Sequence, residues 1–222
     1  MYFKDINHYG DRGLIIDFGI ESSKDVSQEI NAAIIYLKDL KLPTLNTIPS
    51  YNKIVLYFEN TEEKQKSIKT LEIKMKDFRP LDIKRPYKRW NIPACYDPQY
   101  ALDFERIQKL HDLSNLEIIN LHTKKIYYNY YIGFMPGFPY LGEIPSKLIT
   151  PRLSSPRLQI PARSVGIAKE HTCIYPKTSP GGWNIIAQVP FDIFSLDHSR
   201  TSLFLPGDEV ELSAVTQGEF EK

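Results

Sequence analysis

The sequence predicts an α+β N-terminal domain, an antiparallel sheet with two helices, followed by an all-β barrel domain. Three observations carry that reading. Over residues 1–84 the apolar residues switch between strand and helix spacing in the order ββαββα. After about Trp90, two short helical patterns give way to short apolar runs set between Pro and Gly breaks. Between the two patterns, "KMKDFRPLDIKRPYKRW" is dense in Lys and Arg and reads as a solvated linker, so the domains run 1–84 and 85–222.

In the first part, "MYFKDIN" and "GLIIDFG" are apolar runs parted by "HYGDR", whose Gly10 and Asp11 supply turn chemistry for a strand pair. Ser22 with Asp25 three residues on resembles a capping box, and Val26, Ile30, Ala33, Ile34, Leu37 and Leu40 then recur at helical spacing until Pro43 stops the helix. "TLNTIPSYNKIVLYFE" is a second strand pair, broken at Pro49–Asn52. A second helix starts at Thr61, carries Glu62 and Glu63 where the helix dipole favours anions, and presents Ile68, Leu71, Met75 and Phe78 on one face. Both apolar stripes are expected on one face of a four-stranded antiparallel sheet.

In the second part, "IPACYDP" has strand propensity, and Leu102, Phe104, Ile107 and Leu110 mark a short helix. Another helix starts at Ser114, whose capping partner is Glu117, and ends near His122. From Tyr127 onward "YYNYYIGF", "LQIPA", "SVGIA", "TCIYP", "WNIIAQV" and "SLFL" read as short barrel strands. Proline cannot donate to a ladder, so "PGFP", "SSPR" and "TSPGG" belong at strand ends or in loops. Loops held by proline with aromatics projecting from them make preformed concave surfaces.

Composition narrows the function classes. The 222 residues carry 28 Lys+Arg against 27 Asp+Glu, a formal charge of +1, so no global field favours nucleic acid or an anionic membrane. A hydrophobic fraction of 42%, with 12% aromatics, is that of a chain that builds cores. Cys95 and Cys173 form no CxxC pattern and no disulfide framework, which suits a reducing compartment. The opening residues have early charges and no uninterrupted apolar run, so neither a signal peptide nor a membrane span is expected there, and the chain reads as cytoplasmic.

No phosphate loop, GxGxxG, GxSxG or HExxH motif is present, so ATP hydrolysis by this chain alone is not expected, nor is a metal site. His171 and Cys173 share one strand face, which places a base beside a thiol, although a buried structural cysteine accounts for Cys173 equally simply. His122 at a helix end is either a general base or a partner of the helix dipole. Arg152 and Arg157 flank "LSSP", and either guanidinium suits a carboxylate. Ser179 and Trp183 bracket "SPGGW", a loop whose amides suit an anion or whose tryptophan staples a turn. Phe138 and Tyr140, on a backbone restricted by Pro136 and Pro139, are candidate rim contacts for a ligand or partner.

The blocks "GFMPGFPYLGEIPSKLITPRLSSPRLQIPARSVGIA", "TCIYPKTSPGGWNIIAQVP" and "LFLPGDEVEL", with "YGDRGLIIDFG" and "NLH" before them, resemble the family of the 5-oxoprolinase B subunit. That family also holds the KipI-type histidine-kinase inhibitor and the allophanate hydrolase subunit 1 proteins. The resemblance runs in order along nearly the whole chain. It implies a cyclophilin-like barrel after the α+β domain. It also implies a non-autonomous hydrolase component that acts with proteins like the C and A subunits of 5-oxoprolinase to open the cyclic amide of 5-oxoproline to glutamate. ATP and Mg2+ are then expected for the assembled complex and no cofactor for this chain. On this reading His122 and Arg157 are catalytic, and Phe138, Tyr140, His171, Ser179 and Trp183 contact substrate. The KipI-like members imply an alternative, a module that binds a histidine kinase without catalysis, and the cyclophilin fold suggests prolyl isomerisation by analogy alone. This sequence departs from the family pattern at Arg163, Lys169, His171 and Cys173, which replace two glycines, a glutamine and a further glycine.

Overall fold

The structure is a computed structural model that describes residues 3–19, 23–83, 86–197 and 201–221. The chain divides into two compact units, Met1–Pro86 and Tyr87–Lys222.

In the first unit, β1 (Asp5–Tyr9) and β2 (Gly13–Asp17) precede α1 (Lys24–Asp39). Then follow β3 (Thr44–Pro49), β4 (Lys53–Phe58) and α2 (Thr61–Asp77). The strands form one antiparallel sheet in the order β1-β2-β4-β3. Period-two alternation sends Leu14, Ile16, Ile54, Leu56 and Phe58 to one face, where they join Ile30, Ala33 and Leu37 of α1 and Leu71 and Met75 of α2. Each such side chain contributes about 1.5–3 kcal/mol by leaving water. The cap of α1 is Ser23, whose hydroxyl accepts from Val26 N at 3.2 Å; the expected cap, Ser22, lies outside the described residues. Asn60 caps α2 by accepting from Glu63 N at 2.9 Å.

The second unit opens with β5 (Arg89–Cys95), α3 (Phe104–His111) and α4 (Asn115–Thr123). In α3 only Phe104 and Ile107 are buried; Leu102 and Leu110, which share its apolar spacing, are exposed. The Ser114–Glu117 capping box of α4 is complete in both directions. Next come β6 (Ile126–Ile132), β7 (Pro139–Gly142), β8 (Arg157–Ile160), β9 (Ser164–Ala168) and β10 (His171–Ile174). They are followed by β11 (Ser179–Gly181), β12 (Asn184–Gln188) and β13 (Glu209–Val215). A closed barrel runs β10-β7-β6-β13-β5-β12-β9, as the sequence predicts, with β8 and β11 as a separate ribbon. The parallel pair β13–β5 joins strands far apart in sequence, so the intervening chain supplies the crossover. A short helix that the periodicity does not reveal, α5 (Gln217–Phe220), follows a Thr216–Glu219 capping box.

Alternation along the barrel strands separates two cores. Leu141, Val165, Ile167, Ile174, Ile186 and Val210 belong to a central cluster that also takes in α3 and α4 residues. Ala168, Cys173 and Ile185, on the other face of the same strands, join Phe138, Ile160, Tyr175 and Trp183 in a second cluster. The β8–β11 ribbon contributes Ile160 to it. A Cβ on Gly181 would stand 2.5 Å from the Tyr175 hydroxyl and 2.8 Å from Ile160 Cδ1, so only glycine lets the ribbon approach so closely. Among the described residues no helix is long and apolar enough to cross a membrane.

Candidate functional site

The second cluster is where aromatic side chains pass from the interior to the surface. Phe138 is its centre, edge-to-face with Tyr140, Tyr175 and Trp183 at ring distances of 5.2, 5.1 and 5.7 Å. Tyr140 is half-buried, stacks on Tyr131 at 4.4 Å and meets Trp183 edge-on at 5.8 Å. Phe134 lies outermost, 60% exposed, with its ring 5.3 Å from Phe138. His171 closes one end, edge-on to Tyr130 at 5.8 Å and to Tyr140 at 6.4 Å. Burial lowers the pKa of His171, while the carboxylates of Glu170 and Glu143 oppose that shift. Burial and the Glu143 charge raise Tyr130 to about 12.

The predicted site residues therefore separate. Tyr140, His171 and Trp183 come together. Ser179 pairs with Ile160 across the ribbon, so both side chains project on the cluster side, and the buried Ser179 Oγ has no hydrogen-bond partner among the described residues. Phe138 belongs to the same cluster but is 1% exposed, which corrects its assignment as a free rim contact: its ring is the cluster's interior support.

His122 and Arg157 do not join the cluster as ligands. His122 is fully buried inside the barrel unit. The Tyr96 hydroxyl donates to Nδ1 at 2.7 Å, and Nε2–H donates to Thr172 Oγ1 at 2.9 Å, whose own hydroxyl donates to the Gly166 carbonyl at 3.1 Å. That chain assigns the tautomer and occupies both ring nitrogens. Burial drives the pKa of His122 down to about 3, so the ring is neutral. Its assignment as a general base is corrected to a core histidine. Arg157 forms a two-point ion pair with Asp103, Nη1 to Oδ2 at 2.9 Å and Nη2 to Oδ1 at 2.7 Å. Asp103 Oδ2 also accepts from Ile185 N at 2.6 Å. This pair ties the ribbon to β12, so Arg157 is corrected from a catalytic to a structural residue. Asp103 precedes α3 as its N-cap yet makes no side-chain cap bond.

Cys173 is fully buried, and burial pushes its thiol well above the ordinary range, so it is a core side chain rather than a thiolate nucleophile. Arg163 and Lys169 both adopt positive φ, 69° and 49°. These are backbone positions that favour glycine, the residue both replace in the family pattern. Arg163 turns its guanidinium to the Pro190 carbonyl at 3.1 Å, and Lys169 is exposed at the β9–β10 hairpin tip. Arg152, in contrast, lies over the cluster: its Nε is 3.8 Å from where a Gly182 Cβ would stand, and its charge favours the ionised forms of Tyr140, Cys173 and Tyr175.

A family model for the carboxyltransferase domain, subdomain C and D, matches residues 4–204. Over 97% of this chain and 94% of its own length, a Bacillus subtilis (strain 168) protein named as the B subunit of 5-oxoprolinase is 32% identical. The chain belongs to the 5-oxoprolinase B subunit family. The crystal structure of TTHA0988 superposes with a TM-score of 0.80 at 29% identity, covering 92% of this chain; the chain spans 40% of that protein. The Kluyveromyces lactis urea amidolyase shares the fold, with a TM-score of 0.73 at 16% identity over 97% of this chain and 15% of that one. The cluster is thus a feature of one member of the 5-oxoprolinase B subunit family, held on a barrel shared with larger enzymes.

Proposed function

We propose that this chain is the B subunit of a 5-oxoprolinase-type complex that opens the lactam of 5-oxoproline to glutamate, coupled to ATP hydrolysis. The observation that carries the reading is the end-to-end likeness to the Bacillus subtilis protein, which leaves little of either chain unmatched. Proteins like the C and A subunits of 5-oxoprolinase complete the complex in the cytoplasm. ATP and Mg2+ are assigned to the assembled complex, and the sequence of this chain has no phosphate loop.

Within this reading the barrel unit contributes binding and positioning. Tyr140, which is half-buried, offers an apolar face to a small ring, Arg152 offers a polar contact, and Phe138 and the buried Trp183, with the Asp103–Arg157 pair, hold the backbone that presents them. Such preorganisation reduces the entropy lost on binding. Coexpression with the two partner proteins tests it. Glutamate formation from 5-oxoproline with stoichiometric phosphate release is expected only when all three are present. A stable ternary complex with no lactam opening removes the enzyme reading, and the histidine-kinase module becomes the alternative to pursue.

A further inference from the structure

Between two fully buried residues, Thr150 and Ile160, the segment 151–159 has no buried side chain. Its two ends are firmly anchored. The Thr150 carbonyl accepts from Lys169 N at 2.7 Å, the Thr150 hydroxyl donates to the Leu148 carbonyl at 2.8 Å, and Ile160 packs in the aromatic cluster. The stretch between them is held mainly by polar ties. Leu153 N donates to the Gly182 carbonyl at 2.8 Å, Asn184 Nδ2 donates to the Pro151 carbonyl at 3.0 Å, and Arg157 makes its two-point pair with Asp103. Leu158 is 86% exposed and packs nothing down. Beneath the segment runs Gly182, where a Cβ would contact the Leu153 carbonyl, Arg152 Nε and Pro156 Cγ at 3.7, 3.8 and 3.8 Å. Trp183 follows it in the chain, buried and edge-on to Phe138. A segment with so little buried apolar surface has a lower local stability than the core it covers, so it can open without that core.

We propose that residues 151–159 form a strap that closes over the aromatic cluster, with the Arg157–Asp103 pair as its clasp, and that the strap lifts as a unit on its two anchors while the barrel stays folded. The closed state carries two costs that lifting relieves. Asp103 is buried and depends on Arg157 for its countercharge, and the buried Ser179 Oγ, opposite Ile160 at the foot of the strap, has no hydrogen-bond partner among the described residues. Lifting parts the Arg157–Gly181 end of the β8–β11 ladder and keeps the Ile160–Ser179 end. Trp183 and the Ser179 hydroxyl then meet water, so the strap decides when the aromatic surface can be reached. This holds whichever reaction the assembled complex carries out.

The test is hydrogen exchange of the full chain, followed by NMR in rising urea below the unfolding transition. The Leu153 amide and the Trp183 indole N–H report the strap. The Asn129 amide, which donates to the Asp208 carbonyl at 2.8 Å, and the Trp90 indole, which donates to Asp208 at 3.1 Å, report the barrel. Leu153 and Trp183 are expected to exchange faster than Asn129 and Trp90 and with little dependence on urea, because a local opening exposes little surface. In Arg157→Met the exchange of Leu153 and Trp183 should speed up at least about tenfold and stay insensitive to urea. Arg157→Lys keeps the charge but loses the two-point geometry, so it should fall between the two, and it decides the matter if Arg157→Met does not fold. Exchange of Leu153 and Trp183 that follows Asn129 and Trp90 at every urea concentration overturns the proposal, since the segment then comes away only with the whole unit. Local exchange that neither Arg157 variant accelerates overturns it as well, since the opening then leaves the clasp shut.

Discussion

His122 donates from Nε2 to Thr172 Oγ1 at 2.9 Å from inside the barrel, while His171, the neighbour of Thr172 on β10, packs among the aromatics of the second cluster. Two histidines that look equivalent as candidates in sequence are thus divided by the barrel wall, because successive strand residues point to opposite faces.

For His122 the consequence is acid sensitivity of the fold. Its folded pKa, about 3, lies below the ordinary value of 6.5, so between these limits the unfolded chain binds a proton that the folded chain refuses. The stabilising contribution is complete above about pH 6.5 and falls by roughly 1.4 kcal/mol per pH unit as pH drops through that window. Urea unfolding from pH 7 to pH 4 should show this slope in the wild type and a shallower one in His122→Gln. Identical slopes contradict the assignment.

Breaking the Asp103–Arg157 pair should harm stability before it harms anything else. Asp103 is almost fully buried and Arg157 about one-third exposed, at 5% and 30% of their side chains. Arg157→Met leaves the carboxylate buried with only the Ile185 amide, and a loss of about 3 kcal/mol is expected. Asp103→Asn together with Arg157→Met should cost less than the two single changes added together, measured as a double-mutant cycle. Strict additivity would mean that the two groups do not interact.

Phe138 and Phe134 make an internal comparison. Phe138→Ala empties the middle of the cluster and should cost about 3–5 kcal/mol. Phe134→Ala removes a ring that is 60% exposed and should cost well under 1 kcal/mol. Chemical denaturation of both variants separates the roles; equal losses would place Phe134 in the core as well.

The positive-φ lysine offers a stabilising change. Lys169 donates its backbone N–H to Thr150 O at 2.7 Å, a bond that glycine retains, so Lys169→Gly should relieve left-handed strain and gain up to about 1 kcal/mol. Arg163→Gly forfeits the Pro190 contact and should gain less. Melting temperatures of both variants check the order, and a marked drop for Lys169→Gly contradicts the strain argument.

The sequence by itself determined the order of strands and helices in the first unit, the Ser114–Glu117 cap, the barrel character of the second unit and the family, because these rest on local spacing, on turn chemistry or on contiguous blocks of residues; it left β7, β11 and β13 unread as strands and took "SLFL" for one, where the structure has only an isolated bridge at Ser202. It also placed Tyr140, His171, Ser179 and Trp183 in loops or strands around one proline-rich stretch. Only the tertiary structure decided between His122 and His171, between Arg152 and Arg157, and between Phe138 and Tyr140. In each pair the two residues have similar chemistry, and their roles follow from which face of a strand or loop meets which neighbour. That depends on contacts such as Thr172 with His122, 50 residues apart, and Arg157 with Asp103, 54 residues apart, which no local pattern encodes.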